Sequence, residues 1–258
     1  MKKIYLLFIL FLSTSLMSLE PVILVFGPPG SGKGTFSQMA KEKGYDHLSA
    51  GDMIRDEIAQ KTPYGLMVEE IVKRGDYVDP HLFGQMVKAK ITQMSLEKKP
   101  FIIDGFGRTL NDMQLLADTL EELNLNSVTF VLFFNAEDEI CAKRISGRLV
   151  CTDCHQVYNT KNSVVQAGDT CQNCLRGTLQ ERMNDTYAVI QKRLLQYREK
   201  IEPVYKTSLK LFPHILFDSG QESSICLEFY ERLLFDLRAH EGTLSSFTDQ
   251  FSPEKSSN

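Results

Sequence analysis

One nine-residue segment limits this chain more than any other: Gly27-Pro28-Pro29-Gly30-Ser31-Gly32-Lys33-Gly34-Thr35. It follows Val22-Ile23-Leu24-Val25-Phe26, a β-branched and aromatic run that reads as a strand buried on both faces. A helical pattern continues from it to about Lys43. Strand, glycine-rich turn with a lysine, then helix is the context a phosphate-binding loop requires. Glycines let the backbone wrap an anion, and the loop amides converge on it with the positive end of the helix. Gly30, Ser31, Gly32, Lys33, Gly34 and Thr35 are therefore the expected phosphate cradle. Lys33 would reach the β- and γ-phosphates, and Thr35 sits near the metal position. A glycine-rich turn without a ligand is the competing reading, and it leaves the lysine and threonine unexplained.

Further apolar runs recur at Phe101-Ile102-Ile103, from Val128 to Phe134 and from His214 to Phe217. The stretches between them are long enough for helical crossovers. The expected fold is α/β, a doubly wound parallel sheet with helices on both faces. Residues 49–78 read as mostly helical around a loop at Lys61-Thr62-Pro63, and residues 149–181 combine four cysteines, β-like runs and turn residues. Both look like movable insertions, a helical flap and a lid, on a core of residues 21–238. Residues 239–258 are polar, lack an apolar period and are expected to be disordered. Residues 1–18 carry Lys2-Lys3, an apolar stretch from Ile4 to Leu12 and Ser13-Thr14-Ser15, the pattern of a secretory signal. That stretch is too short for stable membrane insertion. An unused start upstream of Met17 is the alternative. The net charge of −4 argues against a nucleic-acid partner, which usually needs a basic face.

Four of the six cysteines form Cys151-x₂-Cys154 and, sixteen residues on, Cys171-x₂-Cys174. Paired thiols at this spacing read as a tetrahedral zinc site. Zn²⁺ held by four protein ligands keeps no open position, so its role is structural, supplying folding energy that a small polar lid lacks. Two disulfides are the rival reading, favoured if the chain is exported. Cys141 and Cys226 read as buried apolar residues. His155, next to Cys154, stays outside the ligand set.

A strict phosphate-loop pattern puts Ser or Thr directly after the lysine, but here Gly34 intervenes. With this variant go Leu48-Ser49-Ala50-Gly51-Asp52-Met53-Ile54-Arg55, Asp104-Gly105-Phe106-Gly107-Arg108-Thr109 and the stretch from Arg182 to Arg193. In the lid, Val157-Tyr158 and Gly177-Thr178-Leu179-Gln180 add to them. Over about residues 21–235 the chain resembles the adenylate kinase family of the zinc-lid type, with the uridylate–cytidylate kinases as close relatives.

The resemblance implies Mg²⁺-dependent transfer of the γ-phosphoryl group of ATP to AMP, giving 2 ADP. Arg55 and Arg108 would hold the acceptor phosphate, while Arg144, Arg148, Arg182 and Arg193 close on the transferring groups. Guanidinium forks suit this because they bind phosphate oxygens bidentately and stay charged. Asp104 ends a buried strand, where α/β folds carry ligand groups, and is assigned to the Mg²⁺ hydration shell, with a helix cap as alternative. Implied ATP contacts add Val157 and Tyr158. Implied AMP contacts add Ala50, Asp76, Tyr77, Val78, Gly105, Phe106, Gly107 and Asp112. The partners are small nucleotides, and a monomer is expected. An enzyme that consumes ATP points to the cytoplasm, with export as the alternative.

Four residues depart from the family pattern. Gly107 replaces a proline, Asn184 replaces the first of two aspartates, and Ala50 matches the uridylate–cytidylate kinases. Asp112 falls where a glutamine reads adenine. The acceptor base therefore stays open among AMP, UMP, CMP and GMP. An inactive exported nucleotide-binding protein is the reading from a different class.

Overall fold

The computed structural model describes residues 20–239 except 77, 79 and 162. The signal-like segment, Tyr77 and the polar tail after Ala239 lie outside the described residues. In chain order the first elements are β1 (Val22–Phe26), α1 (Lys33–Glu42), β2 (Asp46–Ser49), α2 (Ala50–Ala59) and α3 (Pro63–Lys73). Next come α4 (Pro80–Leu96), β3 (Phe101–Asp104), α5 (Leu110–Glu122), β4 (Thr129–Asn135) and α6 (Asp138–Ile145). The lid strands β5 (Arg148–Cys151), β6 (Val157–Asn159) and β7 (Leu179–Gln180) follow. The chain closes with α7 (Tyr187–Gln196), a π-helical turn at Tyr197–Ile201, α8 (Glu202–Ser208), β8 (His214–Asp218) and α9 (Ser223–Ala239).

Five strands form a parallel sheet in the order β2-β3-β1-β4-β8. All five residues of β1 are fully buried, because both faces are covered. Alternation along the strands sorts the core into two layers. Val22, Leu24 and Phe26 join Phe101, Ile103, Val131 and Phe133 against α4, α5 and α8. Ile23 and Val25 join Ile102, Phe130, Leu132 and Phe134 against α1 and α9. Strand β2 has no counterpart among the expected strands. Its four residues, Asp46-His47-Leu48-Ser49, hold a single aliphatic side chain, so pairing with β3 makes it a strand rather than its own pattern.

This register sets out the site. Ser49 lies opposite Asp104, and Asp104 opposite Val25, so three parallel strands bring their carboxyl ends to one edge beside Gly27. The flap is the helix pair α2–α3, with Thr62 capping α3 by accepting the Gly65 N–H at 3.0 Å. The lid is a separate antiparallel sheet in the order β6-β5-β7. Among the described residues, no helix is long and apolar enough to cross a membrane.

Candidate active site

At the carboxyl edge of the sheet the chain leaves β1 through Gly27, whose φ of 145° favours glycine. A Cβ there would fall 2.6 Å from the Phe134 carbonyl oxygen, so the close approach of β4 also excludes any other residue. The loop then folds over the start of α1. The Lys33 ammonium donates to the carbonyls of Gly27 and Pro28 at 2.8 Å each and lies 3.4 Å from Ser31 Oγ. Desolvation draws the Lys33 pKa down to about 8, with Asp104 opposing the fall.

The loop opens into a cleft of about 870 Å³. Six arginines line it together with Lys33: Arg55, Arg108, Arg144, Arg148, Arg182 and Arg193. They come from α2, the loop after β3, α6, β5, the segment after the lid and α7. Carboxylates fix most of them. Asp185, almost fully buried, accepts from Arg148 Nε at 2.8 Å and Nη2 at 2.6 Å, a bidentate fork, and from Arg193 Nη1 at 3.3 Å. Asp52 pairs with Arg55 and lies 3.9 Å from Arg182. Burial pushes the Asp52 carboxyl up, but Arg55 and Arg182 outweigh it and hold it well below the usual carboxylate range. Arg144 donates instead to the carbonyls of Ser219 at 2.8 Å and Gln221 at 3.2 Å, after β8. Burial, then the charges of Arg148 and Arg55, lower the Arg182 pKa. An anion set among these guanidinium groups would relieve their mutual repulsion.

Gly30, Gly32, Gly34, Thr35, Asp104, Gly105, Val157 and Tyr158 also line the cleft. The Asp104 carboxylate has His47 Nε2 at 3.9 Å, beyond hydrogen-bonding reach. Asp104 and Thr35 both line the cleft and carry the hard oxygen donors that could hold Mg²⁺. Other expected residues stand elsewhere among the described ones. Ser31 and Ala50 are buried, Phe106 packs in the core, and Val78 is half-buried. Asp76 binds Lys192 at 2.6 Å and Gln196 at 3.2 Å, tying the end of the flap to α7. Gly107 lies in the loop before α5 and Asp112 in its first turn, where Asp112 Oδ2 accepts from the backbone N–H groups of Arg108 at 3.2 Å and Thr109 at 3.1 Å. The expected site residues did not include His47, Asp52 or Asp185. Asp52 stood inside a recognised motif and Asp185 was the remaining member of the family's aspartate pair, whereas His47 carried no local signal.

In the lid, the sulfurs of Cys151 and Cys174 are 3.6 Å apart and those of Cys154 and Cys171 3.7 Å. All four sulfurs lie within 4.8 Å of one another. A tetrahedron of Zn–S bonds has an S···S edge of about 3.8 Å, so the cluster fits zinc. All four cysteines are free, with no disulfide. The Tyr158 hydroxyl lies 3.3 Å from Cys171 Sγ and accepts the Asn173 N–H at 3.1 Å, so its own proton is available to that sulfur once a metal has displaced the thiol proton.

Comparison with known proteins agrees with this geometry. The profile of the family described as adenylate kinase matches residues 25–210. An adenylate kinase of Thermosipho melanesiensis is 36% identical over 194 residues, covering 74% of this chain and 89% of the relative. One of a Hydrogenobaculum species is 36% identical over 216 residues, covering 82% and 98%. One of Mycoplasma mobile is 35% identical over 185 residues, covering 70% and 83%.

Proposed function

Because the chain belongs to the adenylate kinase family, we propose that the residues lining its cleft divide the work of phosphoryl transfer between two nucleotides. It is a phosphotransferase with adenylate kinase function, the reversible conversion of ATP and AMP to two ADP. One observation carries the division of roles: Lys33 and six arginines, drawn from separate segments, line a single cleft. Phosphoryl transfer needs little covalent help, since the barrier lies in bringing together, aligning and neutralising two anionic groups.

In this reading the loop amides and Lys33 hold the β- and γ-phosphates of ATP. Arg55 and Arg108 hold the phosphate of AMP. Arg148 and Arg193, aligned by Asp185, and Arg182 bridge the transferring group. Arg144 stands on the donor side, anchored to the loop after β8. An AMP phosphate oxygen then attacks the γ-phosphorus in line as the bond to the β-phosphate oxygen breaks. Thr35, and Asp104 through bound water, would hold Mg²⁺, which would supply neutralisation of phosphate charge. Water exclusion by lid and flap strengthens each cation–phosphate contact. Zinc in the four-cysteine cluster has a structural role only.

The reading extends to a monomer working in the cytoplasm, supported by its demand for ATP and testable by sedimentation and cell fractionation. A coupled assay with ATP and each of AMP, GMP, CMP and UMP tests the acceptor. AMP should turn over fastest. A faster reaction with another monophosphate would overturn the acceptor assignment.

A further inference from the structure

His155 neighbours a cysteine of the metal cluster, yet the four thiols already complete a tetrahedral set. Its backbone is left-handed, at φ 59°, uncommon for a residue with a side chain. Its imidazole lines the cleft, with Nε2 3.4 Å from Oδ1 of Asp56 on α2. Asp56 follows Arg55, an acceptor-side cation, in sequence, and His155 belongs to the lid that carries Val157 and Tyr158. The contact therefore joins the acceptor flap to the donor lid across the cleft. Neither side chain is deeply buried, with exposures of 32% for His155 and 48% for Asp56.

We propose that Asp56 and His155 are a positioning pair that couples the lid to the flap, so that closure over either nucleotide favours closure over the other. The proposal rests on the phosphotransfer reading of the cleft. The pair touches no reacting atom. It acts by stabilising the arrangement in which both segments cover the cleft and water is excluded. Such coupling is reciprocal: a contact that helps ATP close the lid also raises affinity for AMP. Its strength suits the task. A half-exposed pair contributes only a few-fold to an equilibrium, so the latch opens at each turnover without trapping product.

A double-mutant cycle on the whole enzyme tests this, using Asp56→Ala, His155→Ala and both together. The readouts are kcat, the KM for ATP and for AMP, and zinc content. Each single variant should raise both KM values about two- to fivefold, the effect expected of a half-exposed pair, with kcat unchanged or higher and zinc retained. The double variant should be no worse than either single one. The decisive readout is the KM for ATP in Asp56→Ala, since a purely local role in the acceptor flap would not move it. Asp56→Lys leaves the lid sequence untouched and should raise that KM further. Additive effects in the double variant, or Asp56 variants that alter only the KM for AMP, would overturn the latch. Failure of wild-type enzyme to phosphorylate AMP would overturn the phosphotransfer reading instead.

Discussion

Lys33 meets opposing demands within one side chain. In its proposed role it must be charged to bind phosphate, yet desolvation in the cleft draws its pKa down to about 8. Because kcat/KM reports the free enzyme, it should hold steady below about pH 8 and fall above it as the amine loses its proton. Bound phosphates favour the ammonium, so the same limb in kcat should move to higher pH. Rate profiles from about pH 6 to about pH 10 check this, and coincident limbs would count against Lys33 as the titrating group. Lys33→Met should keep the fold and lose roughly a thousandfold or more in turnover, as removal of a preorganised charge does elsewhere. Asp112 is a different case. One carboxylate oxygen completes the capping box with Thr109, whose Oγ1 accepts the Asp112 N–H at 3.1 Å, while Oδ1 is buried without a partner among the described residues. Gly107, at φ 81°, holds the preceding loop in a conformation closed to proline, the residue that the family pattern places there. We therefore expect Asp112→Ala to lower stability by about 0.5–1.5 kcal/mol through loss of the carboxylate's bonds to the Arg108 and Thr109 amides, the Thr109 cap itself remaining. Its KM for AMP should stay close to wild type. A changed preference between AMP and GMP would assign the carboxylate to base reading instead.

The lid is the element least able to support itself. Its own buried cluster is Leu149, Cys151, Cys171 and Leu179, so two of these four side chains are cysteines of the four-sulfur cluster. A module with so small a core needs a staple. Metal analysis of protein purified under reducing conditions should find about one zinc per chain. Chelation should then raise hydrogen exchange in β5, β6 and β7 while the five-stranded sheet stays protected. Uniform loss of protection would mean that the metal holds the whole fold. Legibility divides along the same line between local and assembled features. The phosphate loop, the strands β1, β3, β4 and β8 and the two Cys-x₂-Cys pairs were readable because each rests on a short contiguous pattern. Strand β2 was not, since its polar residues become a strand only by pairing with β3. The fork of Asp185 on Arg148 and Arg193 was equally hidden, because tertiary packing alone joins residues from β5 and α7. The π turn at Tyr197–Ile201 does have a local signal in Pro203, which follows it and lacks the N–H that the Glu199 carbonyl would need in an α-helix.

Across the whole molecule, the two core layers carry stability and the carboxyl edge of the sheet carries chemistry, and Phe134 stands where they meet. Its fully buried ring packs 5.9 Å from Phe36, 5.8 Å from Tyr230 and 5.7 Å from Phe217, centroid to centroid. Its backbone and Cβ, by contrast, press on Gly27 at the mouth of the phosphate loop. Phe134→Ala removes the ring and keeps the Cβ and carbonyl, so it separates the two roles. The cavity should cost about 3–5 kcal/mol, since a close-packed layer between α1, α9 and the sheet relaxes only partly. For a chain of this size that is a fall of roughly 6–20 °C in Tm. Activity measured well below the lowered Tm should change by less than about tenfold, because the backbone that shapes the loop persists and the transition state gains its stabilisation from preorganised cations rather than from the ring. Thermal melts and kcat measured on the same preparation decide it. Lost activity with an unchanged Tm would mean that the Phe134 ring, and not its backbone, shapes the phosphate loop.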